Sequence, residues 1–445
     1  MKLKCIVLYI CVAFSAAAQN RSGTNDLKYD DRLHHGSRPW NADESKVPAY
    51  TLPDPLICAD GTRVTSAKIW EKKRRPELVR LFEENIYGRA PGRPRGMHFE
   101  TTSLATNALG GTATRKEVTI WFTRGTNGPG MHLLIYIPNS ARGPVPAFLG
   151  LNFEGNHSIN TDPGITLSDR WLQQSSRDTC ETNHHATEAC RGVDASSWPV
   201  EKILGRGYAL ATFYYGDLEP DWTNGWKTGV RAALSPDGTN TVFKPDDWGA
   251  TSAWAWGASR ALDYLETDRA INARRVGVIG HSRLARTSLW AAARDQRFAT
   301  AFANESGHAG AALARREFGE TTALFNSNPN HAFWFCGNFK KFSNHDDQMP
   351  TDQHEEVALM APRPVYIGSA QDDLWSDPRG EFLGGKGAEP VYALYGETGL
   401  GVSDWPPVNH PVGVFIGYHM RTGRHDITDY DWDQYLNFAD RYLKM

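Results

Sequence analysis

The later part of the chain alternates continuous apolar runs with helical patterns, and that alternation leaves few folds open. The runs "YALATFYY" at 208–215, "RVGVIG" at 275–280, "ATAFAN" at 299–304, "RPVYIGS" at 363–369 and "PVGVFIGY" at 411–418 are continuous in their apolar residues and do not alternate. Strands covered on both faces read this way, whereas half-exposed strands alternate. Earlier strand-like runs lie at 116–122, 131–138 and 145–153, and helical patterns at 251–266, 284–294 and 431–444. A further helix is expected from Trp70 to Tyr87, where Leu78, Leu81, Phe82 and Ile86 share one face. The reading is an α/β sandwich of three layers, a mostly parallel sheet with helices on both faces. No internal repeat and no linker interrupts it, so residues 19–445 are expected to form one domain. Its long irregular segments at 154–200 and 315–350 should be walls or lids over a site.

The formal net charge is only −3, and 40% of residues are hydrophobic. The first figure excludes a nucleic-acid partner recognised through bulk positive charge, and the second excludes an intrinsically disordered chain. Residues 1–18 read as a secretory signal: Lys2 and Lys4, an apolar run from Cys5 to Phe14, then Ala16-Ala17-Ala18. That run is too short to be a permanent membrane anchor. The protein is therefore expected to be secreted or periplasmic, where disulfides can form. Of the cysteines beyond the signal, Cys58, Cys180, Cys190 and Cys336, the pair ten residues apart, Cys180 and Cys190, is the expected local bridge. No metal site is read. His345, Asp346, Asp347 and His354, like His184 and His185, lack the i, i+4 spacing of a helical ligand pair.

The chemistry-bearing feature is Gly280-His281-Ser282-Arg283-Leu284-Ala285-Arg286, directly after an apolar strand and opening a helix. A strand, a sharp turn and a helix lift a serine hydroxyl off the sheet edge, and the helix start offers N–H groups to a developing oxyanion. Leu284 stands where the generic G-x-S-x-G pattern has its second glycine, so the elbow alone is not decisive. A serine nucleophile also needs a histidine base and an acid behind it. His425, after the last strand-like run, is preferred as base over His410 and His419. Glu305 and Asp373, each after a late strand, are both candidates for the acid.

Together, "GHSRLAR", "NESGHAGAALARR", "FWFCGNFKKF", "PTDQHEEVALMAPRPVYIGSAQDDLWSDPRGEF" and "IGYHMRTGRHDIT" resemble the bacterial glucuronoyl esterases of carbohydrate esterase family fifteen, from about residue 50 onward. The resemblance implies an α/β-hydrolase fold without metal or cofactor. It implies hydrolysis of the ester between 4-O-methyl-glucuronic acid of glucuronoxylan and alcohols of lignin. Residue by residue it implies Ser282 as nucleophile, His425 as base, Glu305 or Asp373 as acid, and Arg283 as an oxyanion-stabilising guanidinium. Trp334 and Trp375 would line the sugar pocket, and Glu320 would bind sugar hydroxyls. The family elbow usually reads Ser-Arg-x-Gly-Lys; here Ala285 and Arg286 stand for the Gly and the hydroxyl-binding Lys, which puts the sugar preference in question. A monomer is expected. The alternatives are a secreted acetyl xylan or other carbohydrate esterase of the same fold, and a non-catalytic carbohydrate-binding protein. A complete set of Ser282, Arg283, Glu305, Asp373 and His425 argues against the second.

Overall fold

Ten strands form one sheet in a computed structural model that describes residues 40–173 and 180–444. The expected signal at 1–18 lies outside the described residues. In chain order the strands are β1 (His98–Ala108), β2 (Ala113–Trp121), β3 (Gly130–Pro138), β4 (Val145–Asn152), β5 (Ala209–Tyr214), β6 (Ile271–His281), β7 (Thr300–Asn304), β8 (Val365–Ala370), β9 (Val412–Gly413) and β10 (Ile416–Arg421). Their order across the sheet is β1-β2-β3-β5-β4-β6-β7-β8-β10-β9. From β5 to β10 every neighbouring pair is parallel, while β1, β2, β3 and the short β9 are antiparallel additions. The parallel strands β5, β7 and β8 are buried along their whole length, as their apolar runs require.

Helices cover both faces. On one side lie α1 (Arg75–Phe82), α2 (Ala250–Leu265), α3 (Arg283–Arg294) and α4 (Pro378–Ala393), with Leu78, Trp254, Leu289 and Phe382 in one apolar cluster. On the other, Val200–Gly205 and α5 (Asp429–Tyr442) pack through Ile203, Trp432, Leu436 and Phe438. The stretch expected as one helix from Trp70 is wound as π-turns at Trp70–Arg74 and Glu83–Tyr87 on either side of α1. The run at 411–418 divides into β9 and β10 at a turn. Among the described residues no helix is long and apolar enough to cross a membrane. Cys180 and Cys190 are disulfide-bonded, with Cα atoms 5.1 Å apart; Cys58 and Cys336 are buried thiols.

Sequence periodicity missed α4, which carries Gly380, Gly384, Gly385, Gly387 and an internal Pro390. Packing supplies the reason: a Cβ on Gly384 would lie 1.9 Å from the carbonyl oxygen of Ala311. The glycine lets the helix backbone press against the loop that follows β7.

Candidate active site

Four neighbouring parallel strands, β6, β7, β8 and β10, end at one edge of the sheet, and each is followed by the expected nucleophile, the expected base or one of the two candidate acids. Ser282 follows β6 at once, Glu305 follows β7 at once, Asp373 comes three residues after β8 and His425 four after β10. The carboxyl end of a parallel sheet is where open α/β folds bind ligands. Pairing continues past the strands. The Ser282 N–H donates to the Asn304 carbonyl at 2.9 Å, Glu305 N–H to Gly368 at 2.7 Å, and Asp372 N–H to Gly423 at 2.9 Å. These loops are therefore spliced to one another rather than free at the rim.

The elbow is strained where it must be. Ser282 has φ 56° and ψ −130°, in the positive-φ region that L-residues with a side chain rarely adopt, a strain of about 1–3 kcal/mol. A Cβ at Gly280 would sit 2.1 Å from the Leu284 carbonyl, so the first glycine of the pattern is required. No second glycine is needed: Leu284 and Ala285 are fully buried in the first turn of α3, and burying one leucine returns about 1.5–3 kcal/mol. Burial thus offsets the strain. Arg283 is the first residue of α3, and its N–H has no intrahelical acceptor.

His425 is bound through Nδ1 to two carboxylates, Asp373 Oδ2 at 2.7 Å and Glu305 Oε2 at 3.0 Å. That engagement leaves Nε2 as the nitrogen open to a nucleophile. Its ring lies 4.5 Å from that of His281, next to Ser282. Burial alone would lower the His425 pKa, but Asp373 and then Glu305 outweigh it and raise it to about 10. For Asp373 burial pushes upward, yet His425 holds the carboxyl below its ordinary value. Glu305 is pushed up to about 8, chiefly by burial, with His425 opposing. The rival bases are placed otherwise. His419 is fully buried, with Nε2 2.8 Å from Asp431 and Nδ1 3.1 Å from the Tyr366 hydroxyl, and His410 is exposed. Glu305 opens a buried loop, residues 305–313, with positive φ at Glu305, Gly307 and Ala309.

Arg283 carries its guanidinium over the rings of Phe153, Tyr215 and Trp334, at 4.7, 5.5 and 5.6 Å. Its Nη2 donates to the Tyr215 hydroxyl (3.1 Å) and to Gln173 Oε1 (2.9 Å), and Nε lies 2.7 Å from Asp221 Oδ2. Asp221 also accepts from the Trp334 indole N–H at 2.7 Å and from the Tyr215 hydroxyl at 3.0 Å. One buried carboxylate therefore holds both the expected oxyanion arginine and an expected wall of the sugar pocket. Sequence reading missed Asp221, Tyr215 and Gln173. For Tyr215 and Asp221 the available signal was that "YGDLEPDW" directly follows β5, another strand ending at this edge.

Arg286 is 2% exposed and spent on an ion pair: Nη2 donates to Glu320 Oε1 (3.1 Å) and Oε2 (2.9 Å), with Phe325 and Trp334 stacked on the guanidinium. The Glu320 carboxyl is raised by burial against the pull of Arg286. Trp334 and Trp375 are buried, and Trp375 meets Trp40 edge to face at 5.5 Å. Arg286 and Glu320 are thus paired with each other, while Nε and Nη1 of Arg286 are buried without a hydrogen-bond partner among the described residues. As for metals, His281, Glu305 and His425 bring possible ligand atoms within 4.8 Å of one another. The Glu305 oxygens, however, already accept from Arg421 and the Asp426 N–H, and His281 Nδ1 lies 2.6 Å from Asn304 Oδ1. Two of the other histidines considered are engaged elsewhere: His354 Nε2 with the Pro53 carbonyl and His184 Nδ1 with that of Leu172.

Residues 236–396 match the family model described as "Glucuronyl esterase, fungi". A carbohydrate esterase from an unknown prokaryotic organism is 46% identical, over 93% of this chain and 94% of its own length. A 4-O-methyl-glucuronoyl methylesterase of Wolfiporia cocos is 26% identical, over 90% of this chain and 84% of its own. The solved glucuronoyl esterase from Solibacter usitatus superposes with a TM-score of 0.84 at 48% identity, covering 89% of this chain and 99% of that one.

Proposed function

We propose, from the premise that this chain belongs to the glucuronoyl esterases of carbohydrate esterase family fifteen and is a carboxylic ester hydrolase, that it cleaves its ester through an acyl-enzyme on Ser282. The observation that carries this reading is the convergence of Ser282, Glu305, Asp373 and His425 at the ends of four adjacent strands, with both acids on His425 Nδ1. Ser282 Oγ bonds to the ester carbonyl carbon while its proton passes to His425 Nε2. The resulting oxyanion is met by the Arg283 guanidinium and the N–H at the start of α3. Collapse breaks the bond to the alkoxy oxygen, which takes the proton from His425 and leaves as the alcohol. Water then attacks the acyl carbon, gives its proton to His425, and releases the uronic acid as Ser282 recovers its hydrogen.

The substrate proposed is the ester joining 4-O-methyl-glucuronic acid of glucuronoxylan to lignin alcohols, with Arg286, Glu320, Trp334 and Trp375 forming the sugar wall. Because Arg286 is neutralised by Glu320, this wall presents hydrogen-bonding groups without a bare charge, which suits hydroxyls and an uncharged ester. The chain would act as a secreted or periplasmic monomer, one domain after removal of residues 1–18. Comparing hydrolysis rates on benzyl glucuronate, methyl galacturonate and acetylated xylan tests the substrate. Benzyl glucuronate is expected to be fastest, and a preference for acetylated xylan would turn the reading to the acetyl esterase.

Arg283→Ala should lower turnover by about 10²–10³, the usual loss for one oxyanion donor. It should also lower the melting temperature, because Asp221, 4% exposed, is left without its cation at a cost of about 3–5 kcal/mol. Adding Asp221→Asn should recover part of the stability and none of the turnover. Recovery of turnover would show that Arg283 serves folding rather than the oxyanion.

A further inference from the structure

His425 sits on an irregular loop after β10, so some other group must set its position. Arg421, the last residue of β10 and 3% exposed, lies beneath that loop. Its Nη2 is 2.6 Å from Glu305 Oε1, 2.8 Å from the Arg424 carbonyl and 2.6 Å from the Asp426 carbonyl, the carbonyls of the residues on either side of His425. Nε donates to Asp431 Oδ2 at 2.8 Å, and Nη1 to the Thr422 carbonyl at 3.2 Å. Asp431 is itself fixed: it caps α5 through Thr428 and receives His419 Nε2. Glu305 completes the clamp by accepting the Asp426 N–H at 2.9 Å. Gly423 folds the loop back over the guanidinium; its Cβ would lie 3.1 Å from Arg421 Nη1.

The two acids on His425 are therefore not equivalent. Glu305 Oε1 is held by Arg421, and Oε2 is shared between the Asp426 N–H and His425 Nδ1. Among the described residues Asp373 pairs with no cation but His425, and its other oxygen lies 3.3 Å from the Ser376 nitrogen. Resting on the reading of Ser282 and His425 given above, we propose that Arg421 is the positioning residue of the general base. It commits Glu305 to holding the His425 loop and leaves Asp373 as the partner of the imidazolium. A fork-shaped cation is needed, since an ammonium at the end of a lysine cannot meet Glu305, Asp431 and three carbonyls in one plane.

The test uses the full chain with benzyl glucuronate as probe, in Arg421→Lys, Glu305→Gln, their combination, and Asp373→Asn in both the native and Arg421→Lys backgrounds. Arg421→Lys should lower kcat at least tenfold with KM within about twofold, since the clamp touches the base and not the sugar wall. Adding Glu305→Gln to Arg421→Lys should cost little more, because both loosen one clamp, whereas Asp373→Asn should cost a similar factor in either background. Losses from Arg421→Lys and Glu305→Gln that simply multiply would overturn the proposal. So would an unchanged kcat on the folded fraction alongside a lowered melting temperature. Should Arg421→Lys fail to fold, Glu305→Asp decides. It keeps the charge but withdraws it by one methylene from Arg421 and the Asp426 N–H, so a lowered kcat supports the clamp and a native kcat overturns it. An active Ser282→Ala enzyme would instead sink the underlying reading of the site.

Discussion

Ser282→Ala and His425→Ala are each expected to lower turnover by about 10⁴–10⁶, and the double variant little further, because nucleophile and base work as one unit. The residual rate would come from the oxyanion donors and from binding. KM should change far less, since neither group belongs to the sugar wall. His425→Ala removes the partner of two buried carboxylates, so Asp373 and Glu305 repel each other and the melting temperature should fall as well. Ser282→Ala has no such partner to lose, and it relieves none of the backbone strain at φ 56°. Its melting temperature should stay near the native value. The controls separate the rivals. His410→Ala, on an exposed loop, should leave turnover unchanged. His419→Ala should act on stability by opening the Asp431 network. Near-native rates in His425→Ala beside a dead His410 or His419 variant would refute the assignment of the base.

The second large effect concerns the acids. Asp373→Ala should reduce turnover by roughly 10²–10⁴, the upper end being the loss when a triad acid is neutralised. Glu305→Ala should reduce it by less, through a looser loop, and the double variant should lose most activity. The pH profile distinguishes a charge effect from a positional one. In the proposed mechanism only neutral His425 accepts the Ser282 proton, and the pKa of His425 is raised to about 10. Activity is therefore lost as pH falls, along an acid limb of kcat/KM lying above the ordinary histidine value near 6.5. Removing the Asp373 charge takes away the strongest support for the imidazolium and moves that limb down. The limb reports the coupled cluster of His425, Asp373 and Glu305 rather than one ring. An inactive Glu305→Ala enzyme beside a fully active Asp373→Ala one would reverse the ranking of the acids.

Much of this site was legible along the chain because its residues sit where local patterns change. Ser282, Glu305, Asp373 and His425 each follow an apolar run, and strand ends are visible from hydrophobicity alone. Arg283 and Arg286 came with the elbow. Asp221, Tyr215 and Gln173 went unseen because they act on Arg283 from 62, 68 and 110 residues away in sequence, through a side chain that no periodicity predicts. Helix α4 went unseen for a related reason. Its glycines weaken helix propensity, and the close approach to Ala311 that explains them exists only after folding.

Apolar runs, their spacing, and Gly280 before Ser282 determined by themselves the class of fold, the edge at which chemistry could occur and the residue types available there, since burial and backbone sterics act over a few neighbours. The tertiary structure alone decided how those residues are paired. That two carboxylates meet on one nitrogen of His425, that Arg421 draws Glu305 toward the loop, and that Arg286 is neutralised by Glu320 all depend on which charges burial brings within 3 Å of one another. In a buried setting the electrostatics of a group belong to its neighbours as much as to itself.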